Sequence, residues 1–161
     1  MSLLPKPKPP RARPARPVND DPTALINTSF RATDLHVRWA VSHAVDKLCA
    51  SRVATDFLFS VEIALAEILN NIVEHGYRGS GEGDIKLNIS LVDDRIRIET
   101  IDHGIEMPGL EAPHPTEPNL DVARNDLPEG NFGWYMIREL SEDLEYKRIN
   151  KQNHLSMFIP H

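Results

Sequence analysis

The segment VEIALAEILNNIVEHG, Val61–Gly76, is the longest part of this sequence without a turn signal. At about 100° per residue, its apolar side chains recur on one face of a helix. These residues are Val61, Leu65, Ile68, Leu69, Ile72 and Val73. The opposite face carries Glu67, Asn70, Asn71, Glu74 and, at its margin, His75. Since asparagine is a poor helix former, two adjacent asparagines indicate either a solvated surface or a functional site.

The composition is ordinary for a soluble globular protein. The chain has 161 residues, of which 40% are hydrophobic and 26% charged, and this length favours one domain with a two-layer core. No apolar run approaches the roughly 20 residues of a membrane span, and residues 1–10 lack the apolar centre of a signal peptide. Cys49 is the only cysteine. We therefore expect a cytoplasmic protein without an intrachain disulfide or a cysteine-based zinc site.

The charged residues are unevenly distributed. Five of the 18 basic residues lie in residues 1–17, which contain no acid, so 13 basic residues remain against all 24 acidic residues. Six prolines in the same segment oppose helix and sheet formation. We predict a disordered basic arm over residues 1–20 and one domain over residues 21–161. An acidic domain argues against nucleic acid as the main ligand and suits a partner with a basic surface.

Alternating apolar and polar residues predict the strands of the domain. Five segments fit this pattern: Thr23–Arg31, Asp84–Val92, Arg95–Asp102, Leu144–Ile149 and Leu155–Ile159. A polar turn through Asn150–Asn153 is predicted between the last two. Because most of the strands are adjacent in sequence, we expect a mixed, mostly antiparallel sheet with helices on one face, which is a two-layer α+β sandwich.

Three helices are predicted to form the second layer. The first follows a cap at Thr33 or Asp34 and runs to about Ala50, with Leu35, Trp39, Val45 and Leu48 as core candidates and Cys49 packed among them. The second begins near Phe57 behind Thr55-Asp56 and ends at Gly76 and Gly79. The third covers Trp134–Leu140.

Three features at the ends of these elements and between them suggest a binding site. By strand parity Asp102 points toward the covered face together with Ile96 and Ile98, where a carboxylate needs a partner: a ligand donor, an arginine or a backbone amide. Residues 104–129 contain five prolines and no periodic pattern, and a loop of this length is often a lid. The glycines of Gly130–Gly133 precede a helix, an arrangement found in phosphate sites and in ordinary turns. His103 and His114 lack the spacing of metal ligands.

Three segments together resemble the GHKL superfamily of histidine-kinase-like ATPases, and specifically the anti-sigma-factor serine kinases. ALAEILNNIVEHGY, Ala64–Tyr77, resembles the N box through Glu67, Asn71 and His75. IDHGIEM, Ile101–Met107, resembles the first glycine box, and EGNFGWYMIREL, Glu129–Leu140, resembles the second. Their order and spacing match over Thr23–Pro160. The sequence departs from the family pattern where Glu106 and Asn131 replace glycines.

The resemblance implies the Bergerat (GHKL) ATPase fold and a set of site residues. Asp102 would accept the adenine amino group, and Gly104 would let the base approach the backbone. Asn71 would bind Mg²⁺, and Glu67 would be the catalytic base. The remaining ATP-binding residues implied by the resemblance are His75, Gly130, Asn131, Phe132 and Gly133. Asn70 and Glu74 lie either near the metal or on the surface.

The function implied is that of an ATP- and Mg²⁺-dependent protein serine kinase in a bacterial partner-switching pathway. It would phosphorylate a STAS-domain anti-anti-sigma protein on serine, hold a sigma factor or another output protein in alternation, and form a homodimer, without nucleic-acid or membrane binding. Two alternatives remain: a nucleotide-gated protein that sequesters its partner without phosphotransfer, and a scaffold of the same fold that has lost ATP.

Overall fold

The computed structural model describes residues 23–115 and 131–160, which form one sheet and a layer of helices. The strands are β1 (Thr23–Arg31), β2 (Asp84–Val92), β3 (Arg95–Asp102), β4 (Glu142–Ile149) and β5 (Gln152–Ile159). The α-helices are α1 (Asp34–Ala50), α2 (Thr55–Asn71) and α3 (Asn131–Leu140). A π-helical turn, Ile72–Gly76, extends α2, and a short 3-10 turn covers Pro108–Leu110.

The five strands pair in the order β1-β2-β3-β5-β4, and every pairing is antiparallel. Tight turns connect β2 to β3 and β4 to β5. Asp93 and Asp94 have φ of 49° and 64°, and Asn150 and Lys151 have the same two values, as two-residue hairpin turns require. The predicted turn through Asn153 is therefore wrong, because the turn is shorter and Asn153 belongs to β5.

The core lies between the sheet and the helices, which confirms the predicted α+β fold class. All six apolar residues predicted for one face of Val61–Gly76 are buried. On β3, Thr100 and Asp102 are buried like Ile96 and Ile98, as strand parity predicted. Helix α2 begins at Thr55 rather than Phe57, with Ala54 as an N-cap that makes no side-chain hydrogen bond. None of the described helices has the length and apolar character of a membrane span.

The predicted core face of α1 is partly wrong. Leu35 and Trp39 are 73% and 47% exposed, and Trp39 stacks on His43 with ring centroids 5.1 Å apart. The buried residues are Val37, Ala40, Ala44 and Leu48. Leu48 was among the predicted core residues and is buried, whereas Val37 and the two alanines occupy the positions expected for Leu35 and Trp39. Cys49, which we expected to be packed, is exposed. The cap prediction is confirmed, because Thr33 accepts a hydrogen bond from the His36 backbone.

Candidate functional site

A cavity of about 560 Å³ lies where the C-terminal end of α2 meets the end of β3. Its lining includes Asn71, Glu74, His75, Asp102, Trp134 and Asn153. These residues come from α2, the π-helical turn, β3, α3 and β5. Residues of both the sheet and the helix layer therefore line the cavity, and several of them are residues predicted for ATP binding.

Glu67 and Asn71 meet at the start of α3. The Asn71 side chain donates its Nδ2 hydrogen to the Glu67 carbonyl oxygen at 2.8 Å, and its Oδ1 makes no hydrogen bond among the described residues. A Cβ on Gly133 would overlap the Glu67 carboxylate and lie 3.8 Å from Asn71 Nδ2. Glycine at this position therefore lets α3 approach two polar side chains of α2 closely.

Asp102 is a buried carboxylate with one oxygen in use. It is only 4% exposed, and its Oδ1 accepts hydrogen bonds from Gly104 N and Asn153 Nδ2, both at 2.8 Å. Within residues 23–115 and 131–160, Oδ2 accepts none, so Oδ2 is the oxygen available to a ligand in the cavity. Burial raises the pKa of the Asp102 carboxyl, and the hydrogen bonds from Asn153 and Gly104 oppose that shift.

Two glycines bring the π-helical turn against the end of β3. A Cβ on Gly104 would lie 2.8 Å from the carbonyl carbon and oxygen of Gly76, closer than van der Waals contact allows. The Ile105 amide donates to the Gly76 carbonyl at 2.8 Å, and the His103 amide donates to the Tyr77 hydroxyl at 2.9 Å. Single π-helical turns inside or at the end of α-helices are frequent at functional sites. Here the π-helical turn places His75 and Gly76 in the lining of the cavity.

Sequence reasoning missed the residues that surround Asp102 from β4 and β5. Asn153, which is 5% exposed, bonds Asp102, and its Oδ1 accepts hydrogen bonds from Tyr146 and Arg148, each at 2.6 Å. Arg148 also donates to the Gly104 carbonyl at 2.8 Å. One signal was available in the sequence: Asn153 shares the parity of Leu155 and Met157, so it is a polar residue on the inward face of a strand.

The structure brings most of the predicted site residues to this region. Asn71, His75 and Asp102 line the cavity, Gly104 adjoins Asp102, and Gly133 adjoins Glu67. Phe132 is 48% exposed and stacks on Tyr135 with centroids 6.5 Å apart. Gly130, the Asn131 side chain, the arm over residues 1–20 and lid residues 116–129 lie outside the described part of the chain.

Two residues left open by the sequence now have places. Glu74 lines the cavity and also a neighbouring depression. Asn70 is exposed and lines that neighbouring depression with Asp34 and Arg38, outside the cavity. Across the described ranges, no three His, Cys, Asp or Glu side chains are grouped as metal ligands.

The profile of the family described as "Histidine kinase-like ATPase domain" matches residues 30–159. The chain belongs to this family. The match spans all three motif segments and includes residues of both the sheet and the helix layer. It confirms the family assignment based on the N box and the glycine boxes.

The curated proteins similar to this member of the histidine kinase-like ATPase family include several named serine-protein kinase RsbW. The protein of that name from Oceanobacillus iheyensis is 33% identical over 121 residues, which cover 67% of this chain and 71% of that protein. The one from Bacillus cereus is 29% identical over 93 residues, or 57% of this chain. The chain spans 58% of the length of that Bacillus relative.

A solved structure has the same fold. It contains the RsbU and RsbW domains of Rv1364c from Mycobacterium tuberculosis, and it superposes with a TM-score of 0.56 at 16% sequence identity. The superposition covers 84% of this chain and 32% of that one. This comparison supports the family fold.

Proposed function

We propose that this member of the histidine kinase-like ATPase family is an ATP- and Mg²⁺-dependent serine-protein kinase of a partner-switching pathway. Its substrate would be a serine of a STAS-domain anti-anti-sigma protein, and it would alternately hold a sigma factor or another output protein. One observation carries the proposal: Glu67 and Asn71 lie one helical turn apart beside Gly133, next to the cavity that Asp102 lines.

Asp102 is suited to recognise adenine. Its Oδ1 is occupied by Gly104 and Asn153, so Oδ2 would accept a hydrogen from the exocyclic amino group of the base. A hydrogen bond to an ionised acceptor is stronger than one between neutral groups. Gly104 leaves no Cβ between Asp102 and the π-helical turn, so the turn can lie close to the carboxylate that would hold the base.

Asn71 suits a magnesium ion bound to the phosphates. Its Nδ2 is held by the Glu67 carbonyl, which leaves Oδ1, a hard neutral oxygen, for the metal. Magnesium in nucleotide sites often takes one or two protein ligands and completes its shell with phosphate and water. The lack of a three-residue metal cluster among the described residues fits such a site. When bound, the ion neutralises charge on the phosphates.

Glu67 would act as the general base. Its carboxylate makes no hydrogen bond with another described residue, and in the proposed reaction it accepts the proton of the incoming serine hydroxyl. As that proton leaves, the serine oxygen bonds to the γ-phosphorus and the bond from phosphorus to the bridging β,γ oxygen breaks, which releases ADP. Phosphoryl transfer depends mainly on positioning and on electrostatic stabilisation, and the backbone amides at the start of α3 would contribute to both.

The test is transfer of labelled phosphate from ATP to candidate STAS proteins in the presence of Mg²⁺. We expect labelling by the wild-type protein and a loss of about 100-fold or more for Glu67→Gln, in line with the contribution of a general base. Asn71→Ala should lose both transfer and the magnesium dependence of ATP binding. Two controls lie on the same helix: Glu62→Gln and Asn70→Ala change exposed residues outside the cavity and should transfer phosphate normally.

The outcomes separate the proposed kinase from its alternatives. ATP binding without labelling of any partner would favour a nucleotide-gated protein that sequesters its partner. Absence of ATP binding would favour a scaffold that has lost the nucleotide. Full activity in Glu67→Gln would remove its role as the base. The homodimer that we propose on family resemblance is tested independently by sedimentation of the purified protein.

A further inference from the structure

Asn153 lines the cavity and lies at the centre of a buried hydrogen-bond network at its edge. Its Nδ2 donates to Asp102 Oδ1 at 2.8 Å and lies within 3.3 Å and 3.1 Å of the Gly104 and Ile105 carbonyls. Its Oδ1 accepts from Tyr146 and Arg148. Since a buried amide left unpaired would cost free energy, these partners hold the Asn153 side chain in one place.

The partners also fix which way the amide points. The Tyr146 hydroxyl accepts a hydrogen from the Met107 amide at 3.1 Å, so its own proton is available to Asn153 Oδ1. Arg148 can only donate. Because both groups require an acceptor, Asn153 must turn its oxygen toward them and its Nδ2 toward Asp102.

This orientation determines what Asp102 offers to a ligand. Asp102 Oδ1 receives two donors, from Asn153 and from the Gly104 amide. The carboxylate cannot rotate about its terminal bond without losing both. Asp102 lines the cavity, and Oδ2, which accepts no hydrogen bond from the described residues, is the oxygen left as an acceptor for a ligand. The choice of ligand atom opposite it would then be set by the network as well as by Asp102.

We propose that Asn153, held by Tyr146 and Arg148, is a positioning residue that makes the site select a 6-amino purine over a 6-oxo purine. The inference rests on the proposed function, because it takes ATP as the nucleotide. Adenine presents an N–H donor to Asp102 Oδ2, whereas hypoxanthine presents a carbonyl oxygen, and two facing acceptors repel. Rejection through an unpaired buried group is stronger than rejection through size alone.

The first experiment compares the dissociation constants of ATP and inosine triphosphate for the wild-type protein and Asp102→Asn. We expect the wild-type protein to prefer ATP by about 100-fold, the upper end of what one unpaired buried polar group costs. In Asp102→Asn, the side-chain oxygen can keep both donors, which places the new NH₂ group toward the cavity. The ratio should therefore reverse in favour of inosine triphosphate. A preference for ATP that survives this isosteric change would overturn the proposed geometry.

The second experiment tests Asn153 through the same ratio. In Asn153→Ala, Asp102 can rotate, so the ratio should fall by about tenfold or more. Tyr146→Phe removes only the hydroxyl that donates to Asn153, so it should lower the ratio less than Asn153→Ala does. Because this change is smaller, Tyr146→Phe also serves as the test if Asn153→Ala does not fold. The matched control is Asn88→Ala, because Asn88 lies on β2 outside the cavity and its buried Oδ1 has no hydrogen-bond partner within residues 23–115 and 131–160. This variant should keep the wild-type ratio.

The failures of this inference and of the proposed function are distinguishable. A wild-type protein that binds neither nucleotide would overturn the proposed function and this inference with it. A wild-type protein that prefers ATP, together with unchanged ratios in Asn153→Ala and Tyr146→Phe, would overturn the role of Asn153 alone. Since the readout is a ratio of two affinities, a general weakening of the cavity would not imitate the expected result.

Discussion

Asp102 carries its negative charge at a cost to the stability of the fold. Burial raises the pKa of its carboxyl above the ordinary value of 3.8, against the hydrogen bonds that it accepts. The folded state therefore binds a proton more tightly at Asp102 than the unfolded state does. The contribution of Asp102 to the free energy of unfolding falls as pH rises from 3.8 through the raised pKa, and the cost is fully present above it.

We predict that Asp102→Asn melts at the same temperature as the wild-type protein or higher at pH 7, although it loses ATP. Asparagine keeps the shape and the acceptor oxygen and removes the buried charge. The difference should shrink as pH is lowered toward 3.8. Thermal melts at pH 7 and at pH 4 measure this difference in melting temperature. The control is Asp46→Asn, which changes an exposed residue of α1. A variant that is clearly less stable at pH 7 would contradict this account.

At the scale of the elements, the contact between the π-helical turn and β3 gives a second prediction. A methyl group at Gly104 would lie 2.8 Å from Gly76 backbone atoms, whereas one at Gly76 would meet its nearest atoms at 3.7 Å. Gly104→Ala should therefore lower the free energy of unfolding by about 1–3 kcal/mol, the usual cost of overpacking. Gly76→Ala should cost less, because 3.7 Å is an ordinary contact distance.

Urea denaturation of both glycine variants measures the difference. Neither glycine has a positive φ, so the comparison is not affected by left-handed backbone strain. Equal destabilisation of the two variants would mean that the close contact does not limit the approach of the turn to β3.

The sequence predicted elements better than their ends and special turns. The apolar face of α2 and the parity of β3 follow from side chains that repeat with a fixed period, and both were correct. The π-helical turn contacts Gly104 and Ile105 through Gly76, and a local sequence pattern does not reveal contacts between residues so distant in sequence. Likewise, Leu35 and Trp39 were predicted to face the core. Instead, α1 packs against the core through Val37, Ala40, Ala44 and Leu48.

For the whole molecule, we predict that ATP with Mg²⁺ raises the melting temperature. A ligand at 100 times its dissociation constant stabilises the folded state by about 2.7 kcal/mol. For a domain of this size, that corresponds to a shift of roughly 5–10 °C. Differential scanning fluorimetry with ATP alone, with ATP and Mg²⁺, and with EDTA measures it. Asn71→Ala should lose the part that depends on Mg²⁺, and an identical shift with EDTA would contradict the assignment of Asn71.

The sequence motifs predicted one part of the candidate site, and the part contributed by β4 and β5 was missed. Glu67, Asn71, Asp102 and Gly104 belong to short motifs whose spacing could be compared with a family. Asn153, Tyr146 and Arg148 lie more than 40 residues beyond Asp102 on β4 and β5. Their partnership with Asp102 exists only because β5 pairs with β3, and strand order is a property of the folded sheet.

The hydrogen bond from the Ile105 amide to the Gly76 carbonyl joins the end of the sheet to the end of the helix layer. Its amide proton can exchange with solvent deuterium only when these two ends separate. The exchange rate of the Ile105 amide would therefore report how often the cavity opens at this contact. The decrease in this rate when nucleotide is added would measure how much ligand binding raises the free energy of separating the two layers.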